Sequence, residues 1–302
     1  MRRPVRSGFK ALFYQKQLSG YLFITPALGI IVFLVAYPFL MAIFLSLSDS
    51  SVAHRGDFIG LENYIQLWHN ETFRQTLQNS IVYTVCSVGA KTVLGLGLAL
   101  VLNQRIAFSR LFRGAILLPW VIPSTLSTLG WLWMFDPTFS VFNWLLVKLG
   151  LAAKGLPWLS DPYMAMASII VVNTWRGLPF FAITILAGLV SVPPDLYKAA
   201  KIDGAGPIRT FWLITLPLIK PLLLIVILFS TIMTISDFNI VYVLTKGGPM
   251  NMTHLLSTLS YQVGLSGGRL GQGAAVSLFM FPVLATVVYF QLKTIRAGAT
   301  YD

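Results

Sequence analysis

Pro193-Pro-Asp-Leu-Tyr-Lys-Ala-Ala-Lys-Ile-Asp-Gly-Ala-Gly-Pro-Ile-Arg-Thr-Phe-Trp-Leu-Ile-Thr-Leu-Pro217 is a polar-rich passage set between two long apolar runs, Tyr163–Val190 and Pro221–Thr245. Pro194 and Asp195 suit a helix start, where a fixed φ is tolerated and a carboxylate complements the positive end of the helix dipole. Leu196, Ala199 and Ala200 then fall at i, i+3 and i+4, on one predicted face. Gly204, Gly206 and Pro207 break that helix, and Pro207 can open a second one carrying Phe211. The passage therefore reads as a short helix–turn–helix whose small residues let a partner approach closely. An ordinary interfacial loop with basic anchors fits the same residues.

Working outward, a membrane helix needs about 20 mostly apolar residues. The runs that qualify are Gly20–Leu47, Leu77–Asn103, Gly114–Phe135, Tyr163–Val190, Pro221–Thr245 and Gln272–Leu292. The chain is 56% hydrophobic and 11% charged, against about 25% charged in a soluble domain. So few charges cannot cover a water-facing surface, and much of the surface must meet lipid. The fold class is all-α, with about six transmembrane helices. Pro38, Pro123, Pro179 and Pro282 interrupt several runs, which membrane helices tolerate where neighbours satisfy the freed backbone. The long first run lacks a small-residue cleavage site and is read as a retained helix. Residues 1–19 form a cytoplasmic N-terminal segment and 20–302 the transmembrane domain, with the polar passage at about 193–220.

The net charge of +12 is spread between the apolar runs rather than gathered on a basic face for nucleic acid. Placing the N-terminus inside puts Arg2, Arg3, Arg6, Lys10, Lys16, Arg105, Arg110, Arg113, Lys198, Lys201, Arg209, Lys220, Lys293 and Arg296 on the cytoplasmic side. Only Arg55, Arg74, Lys148, Lys154, Lys246 and Arg269 then lie outside, so the positive-inside rule predicts that both termini are cytoplasmic. Cys86 lies inside an apolar run and reads as a small buried hydrophobe; as the one cysteine it cannot form an intrachain disulfide. There is no G-x-x-x-x-G-K-[ST] phosphate loop. His54, His69 and His254 fall in loops outside, in no metal-binding or catalytic pattern. The residues support a transporter and no enzyme or metal site.

The polar passage resembles the EAA loop of binding-protein-dependent ABC importer permeases, through Ala199, Ala200, Asp203, Gly204, Ala205, Phe211, Leu216 and Pro217 at the family's spacing. Lys198 stands where the family has its leading Glu, reversing a charge. Phe58-Ile-Gly-Leu-Glu-Asn-Tyr64, Leu118-Pro-Trp-Val-Ile-Pro-Ser124, Val172-Asn-Thr-Trp-Arg-Gly-Leu-Pro179 and Leu244-Thr-Lys-Gly-Gly-Pro249 extend the likeness along the chain. Together they resemble the MalF-like member of the carbohydrate-uptake branch. That resemblance implies the type I importer (MetI/MalF-like) fold in a bacterial inner membrane. It implies a second homologous permease, two copies of an ABC ATPase holding ATP and Mg, and an extracytoplasmic sugar-binding protein. The coupling residues would be Lys198, Ala199, Ala200, Asp203, Gly204, Ala205 and Phe211, seated in the ATPase. This chain would carry no cofactor and supply half of a sugar pathway.

Ionisable residues at membrane depth are costly and mark a pathway by default. Asn173, Arg176, Gly177 and Phe180 share a helical face, as do Ser230, Thr234 and Asp237, and Trp120, Ser124 and Ser127. Amides, hydroxyls, charges and aromatic rings suit a sugar, and the resemblance implies the same positions as its site. Hydrogen-bonded glue between helices is the alternative, with Arg176 neutralising Asp237. Lys91 reads as structural or snorkelling. Against the importer stand an ion-coupled secondary transporter, for which only Asp237 is an obvious carrier, and an ABC permease for a non-sugar solute.

Overall fold

The computed structural model describes residues 16–104 and 107–299. Most of the expected N-terminal segment, and Arg105, lie outside them. Five helices are long and apolar enough to cross a membrane: α1 (Gly20–Ser46), α3 (Glu71–Leu102), α7 (Pro162–Ser191), α9 (Pro207–Ile235) and α12 (Leu270–Thr294). A sixth crossing is a bent pair, here α4 (Ser109–Val121) and α5 (Ser124–Met134), related by 91°. Shorter helices connect them: α2 (Glu62–His69), α6 (Val141–Lys148), α8 (Pro194–Ile202), α10 (Asn239–Leu244) and α11 (Leu256–Tyr261).

The expected straight third span is thus broken. Ile122 precedes a proline and is driven to extended backbone (φ −66°, ψ 133°), and Pro123 follows at ψ 132° without an N–H to give. The fifth span also departs from its expected limits. Its helix begins at Pro207, inside the polar passage, and ends at Ile235; α10 follows after a turn at residues 236–238. Cys86 is exposed rather than buried, because α3 turns that face away from its neighbours.

Helix ends are closed as the sequence allows. Asn70 caps α3 by accepting from the Phe73 N–H at 3.2 Å, and Asp161 caps α7 by accepting from Tyr163 and Met164. At the end of α1, Asn63 Nδ2 donates to the carbonyls of Ser46 and Ser48 at 2.9 and 2.8 Å, supplying partners those orphan acceptors lack.

Lipid is as apolar as leucine, so close packing and hydrogen bonds rather than water exclusion hold these helices together. The most extensive contact is α3 against α7, where Gly95 meets Phe181. A Cβ on Gly95 would lie 2.5 Å from the Phe181 Cβ, so only glycine admits this approach. Val88, Ala99, Phe181, Ile185, Ile219 and Val226 fill the core of α3, α7 and α9 toward α8. A second core, toward α10, joins Tyr83, Trp131, Ile169, Val172, Ile240 and Leu255. Between these two layers, on the same three helices, lies the polar site.

Candidate functional site

Asp237 sits just past the end of α9, in the turn that precedes α10, its own N–H bonded to the Thr234 carbonyl at 3.1 Å. That turn brings the carboxylate to α3 and α7. Its Oδ2 accepts from the Tyr83 hydroxyl at 2.7 Å and from Asn173 Nδ2 at 2.9 Å. Asn173 Oδ1 in turn accepts from Lys91 Nζ at 2.8 Å, and Lys91 also donates to Thr234 Oγ1 at 2.8 Å. Lys91 is 3% exposed. The chain Tyr83–Asp237–Asn173–Lys91–Thr234 therefore ties three membrane helices through charge-assisted bonds, roughly twice as strong as neutral ones.

Around this network an open cavity of about 400 Å³ gathers Asn173, Arg176, Gly177 and Phe180 from α7, with Ser230, Thr234 and Asp237 from α9 and its turn. Trp120 and Ser124 complete it from the two arms of the bent pair, so every residue expected at the site except Ser127 lines one space. The bend at Pro123 turns both of them inward. Trp120 stacks on Phe180 at 6.1 Å between centroids, and Phe180 packs on Phe229 at 5.1 Å, forming an aromatic cluster in the lining of the same cavity. Ser124 Oγ accepts from Asn239 Nδ2 at 3.2 Å. Ser127, on the expected face with Trp120 and Ser124, instead donates back to the Ser124 carbonyl at 2.9 Å. Polar groups and aromatic rings in one lining suit a pyranose, which has hydroxyls to bond and apolar ring faces to cover.

The alternative in which Arg176 pairs with Asp237 is not met: among the described residues the sole ion pair is Lys198–Asp195. Tyr83 and Asn173 hold the carboxylate instead, and Arg176 Nε is buried with no hydrogen-bond partner among the described residues. Nor does Lys91 snorkel to an interface.

The polar passage forms the expected helix–turn–helix. Gly204 takes φ +73°, and the Ala205 and Gly204 N–H groups bond to the carbonyls of Ala200 (2.9 Å) and Lys201 (3.2 Å). This is a Schellman C-cap, which needs a left-handed residue at that position. The expected apolar face of α8 is split, however. Ala200 is buried, and Tyr197 reaches Thr215 Oγ1 at 3.3 Å, so these two hold α8 on α9. Leu196 and Ala199 face outward, with Ile202 86% exposed beside them. Lys198 bonds Asp195 at 2.8 Å on an exposed surface. Asp203 is exposed, while Ala205 and Phe211 line a groove of about 690 Å³ with Tyr197, Lys201 and Trp212.

Residues 91–296 match the family described as binding-protein-dependent transport system inner membrane component. The chain belongs to that family. This permease is 34% identical to the trehalose/maltose transport system permease protein MalF of Thermococcus litoralis over 94% of its length and 96% of that protein's. It is 34% identical to the sulfoquinovosyl glycerol transport system permease protein SmoG of Agrobacterium fabrum, over 93% and 91% of the two chains. It is 32% identical to the trehalose transport system permease protein SugA of Mycobacterium tuberculosis, over 93% and 89%. A chain of a bacterial ABC transporter that imports the acidic polysaccharide alginate superposes with TM-score 0.80 at 22% identity, covering 96% of this chain and 98% of that one. A chain of the inward-facing MetNI methionine transporter superposes with TM-score 0.55 at 19% identity, covering 78% and 98%. These likenesses establish a type I importer permease fold.

In this permease the polar faces of the third, fourth and fifth spans do not point to Tyr83, and Lys91 reads from sequence as structural or snorkelling. A signal existed: Thr76, Ser80, Tyr83, Ser87 and Lys91 recur at helical spacing along α3. Each alone resembles helix glue.

Proposed function

We propose that this chain is the permease subunit of an ATP-driven, binding-protein-dependent sugar importer, forming half of the translocation pathway. The observation that carries this reading is one cavity within the membrane helices, lined both by a hydrogen-bonding network and by the rings of Trp120, Phe180 and Phe229. The relatives named for trehalose, maltose and sulfoquinovosyl glycerol transport support sugar as the solute. Asn173, Gly177, Ser230, Thr234 and Asp237 would meet sugar hydroxyls, with Arg176 and Ser124 beside them and Trp120 and Phe180 under the ring.

In this reading the chain pairs with a second homologous permease and two ATPase subunits, which bind ATP and Mg. An extracytoplasmic binding protein delivers the sugar. Residues 193–220 face the cytoplasm, as do both termini, because the basic residues cluster on that side. The outward face of α8 (Leu196, Ala199, Ile202), the Gly204 turn and Phe211 would seat against the ATPase. ATP-driven closure would then shift α8 and α9 and open the cavity outward.

The test is reconstitution. Proteoliposomes holding the permease pair and ATPases, supplied with the binding protein and labelled maltose and trehalose, should accumulate sugar only when ATP reaches the ATPases. Uptake driven by a proton gradient without ATPase subunits would instead establish an ion-coupled carrier.

A further inference from the structure

Lys91 is buried, comes from α3, and bonds to side chains of α7 and α9, two of which the functional reading assigns to the sugar. An ammonium can only donate, and a carboxylate can only accept. Asn173 lies between one of each, so its amide has a single workable orientation: Oδ1 toward Lys91 and Nδ2 toward Asp237. Thr234 Oγ1 is likewise held as an acceptor by Lys91. Its own proton has no acceptor among the described residues and remains free to donate. Asp237 uses Oδ2 for Tyr83 and Asn173, leaving Oδ1 only a long 3.4 Å contact with the Ile240 N–H.

The route by which Lys91 reaches this position runs over Gly177. A Cβ on Gly177 would stand 2.6 Å from Lys91 Cδ and 3.4 Å from Nζ, and the nearest three atoms all belong to Lys91. We propose that Lys91 is the positioning residue of the cavity. It fixes the amide of Asn173 and the hydroxyl sense of Thr234, so that this corner of the site offers a ligand Thr234 as a donor and Asp237 Oδ1 as an acceptor. Gly177 is glycine because the lysine stem crosses it. The proposal rests on the sugar-importer reading for what the ligand is, a solute with neighbouring hydroxyls, but its geometry does not.

Two measurements on the complete transporter test it. The first needs no ligand: thermal unfolding of the purified assembly with Gly177→Ala, Lys91→Ala and both together. Gly177→Ala should lower the unfolding temperature by several degrees in the native background and have little effect once Lys91 is alanine, because contact couples the two sites. Additive losses would overturn the role given to Gly177. The second is uptake of labelled maltose and trehalose per assembled transporter. Lys91→Met keeps the stem and removes the ammonium, so uptake should fall at least about tenfold, the loss expected when buried charge-assisted bonds go unmade. Lys91→Met with Asp237→Asn removes both charges; it should recover assembly without recovering uptake. Recovered uptake would show that Lys91 serves charge balance alone and would overturn the proposal. Failure of the native transporter to take up either sugar would count against the sugar reading, while the unfolding cycle would still decide the place of Lys91.

Discussion

Gly204 offers the sharpest separation of backbone from contact effects. It holds φ +73°, and the position a Cβ would take has no heavy atom within 4 Å. Within this chain a larger residue therefore meets no obstruction, and the whole cost is conformational. A left-handed residue with a Cβ costs about 1–2 kcal/mol, enough to shift a local equilibrium roughly 5- to 30-fold. That penalty falls on the C-cap formed by the Ala205 and Gly204 N–H groups, and hence on the angle between α8 and α9. Asparagine visits the left-handed region readily, whereas a β-branched residue does so least. Gly204→Asn should therefore keep most ATP-driven uptake and Gly204→Val should lose most of it, both leaving the permease in the membrane. Uptake in proteoliposomes and retention of the ATPase on affinity-purified permease are the assays. Equal loss in the two variants would refute the backbone argument and point to a steric contact with the partner. Normal uptake and normal ATPase retention in Gly204→Val would remove the turn from coupling altogether.

Asp237→Ala should depress uptake roughly 5- to 150-fold, the loss of about 1–3 kcal/mol for an unmade buried hydrogen bond. ATP hydrolysis without substrate should stay close to native, and unchanged uptake kinetics in both Asp237→Ala and Asn173→Ala would leave helix glue as the better account. Gly95→Leu drives a side chain into Phe181 and should destabilise the α3–α7 contact by about 1–3 kcal/mol, read as a lower unfolding temperature; a native unfolding temperature would contradict the packing described here. A cysteine at Ile208, which is 75% exposed, in a Cys86→Ser background should resist impermeant thiol reagents in intact cells and react in inverted vesicles. Labelling from outside would reverse the orientation.

The membrane spans were legible because hydropathy alone decides which segments can lie in lipid, and the observed ends of α1, α7 and α12 fall close to the expected ones. Breaks were harder to read. Pro123 and Pro179 look alike in sequence, yet only the first bends its span, because Pro179 lies buried in a helix whose neighbours are in place. The end of α9 at Ile235 carries no proline or glycine signal and depends on contacts with α3 and α7. That polar residues of α7 and α9 share faces was legible from their spacing, and the structure gathers them around one cavity, but the sense of each bond was not legible. Arg176 was the obvious partner for Asp237 by charge and depth, yet the turn after α9 delivers the carboxylate to Tyr83 and Asn173. Ala200 and Ala199 are identical in composition and adjacent in sequence; only docking of α8 onto α9 decides which is covered.

The helix α9 starts in the polar passage and ends within two residues of Asp237. Its 29 residues at 1.5 Å each make a rod of about 44 Å. Displacement at Pro207 thus reaches Thr234 mechanically, along one backbone, with no relay of side chains between. The rod is not uniformly stiff. A π turn at Phe211–Thr215, then Pro217 and Pro221, concentrate its weak hydrogen bonding near the loop, while Leu222–Ile235 has no such interruption. A tilt of about ten degrees around its midpoint would carry each end nearly 4 Å, by the same rise per residue (~22 Å per arm). That stroke exceeds a hydrogen bond in length. Movement of the loop by that amount would pull Thr234 off Lys91 and, with it, Asp237 off Tyr83 and Asn173, which stand on other helices.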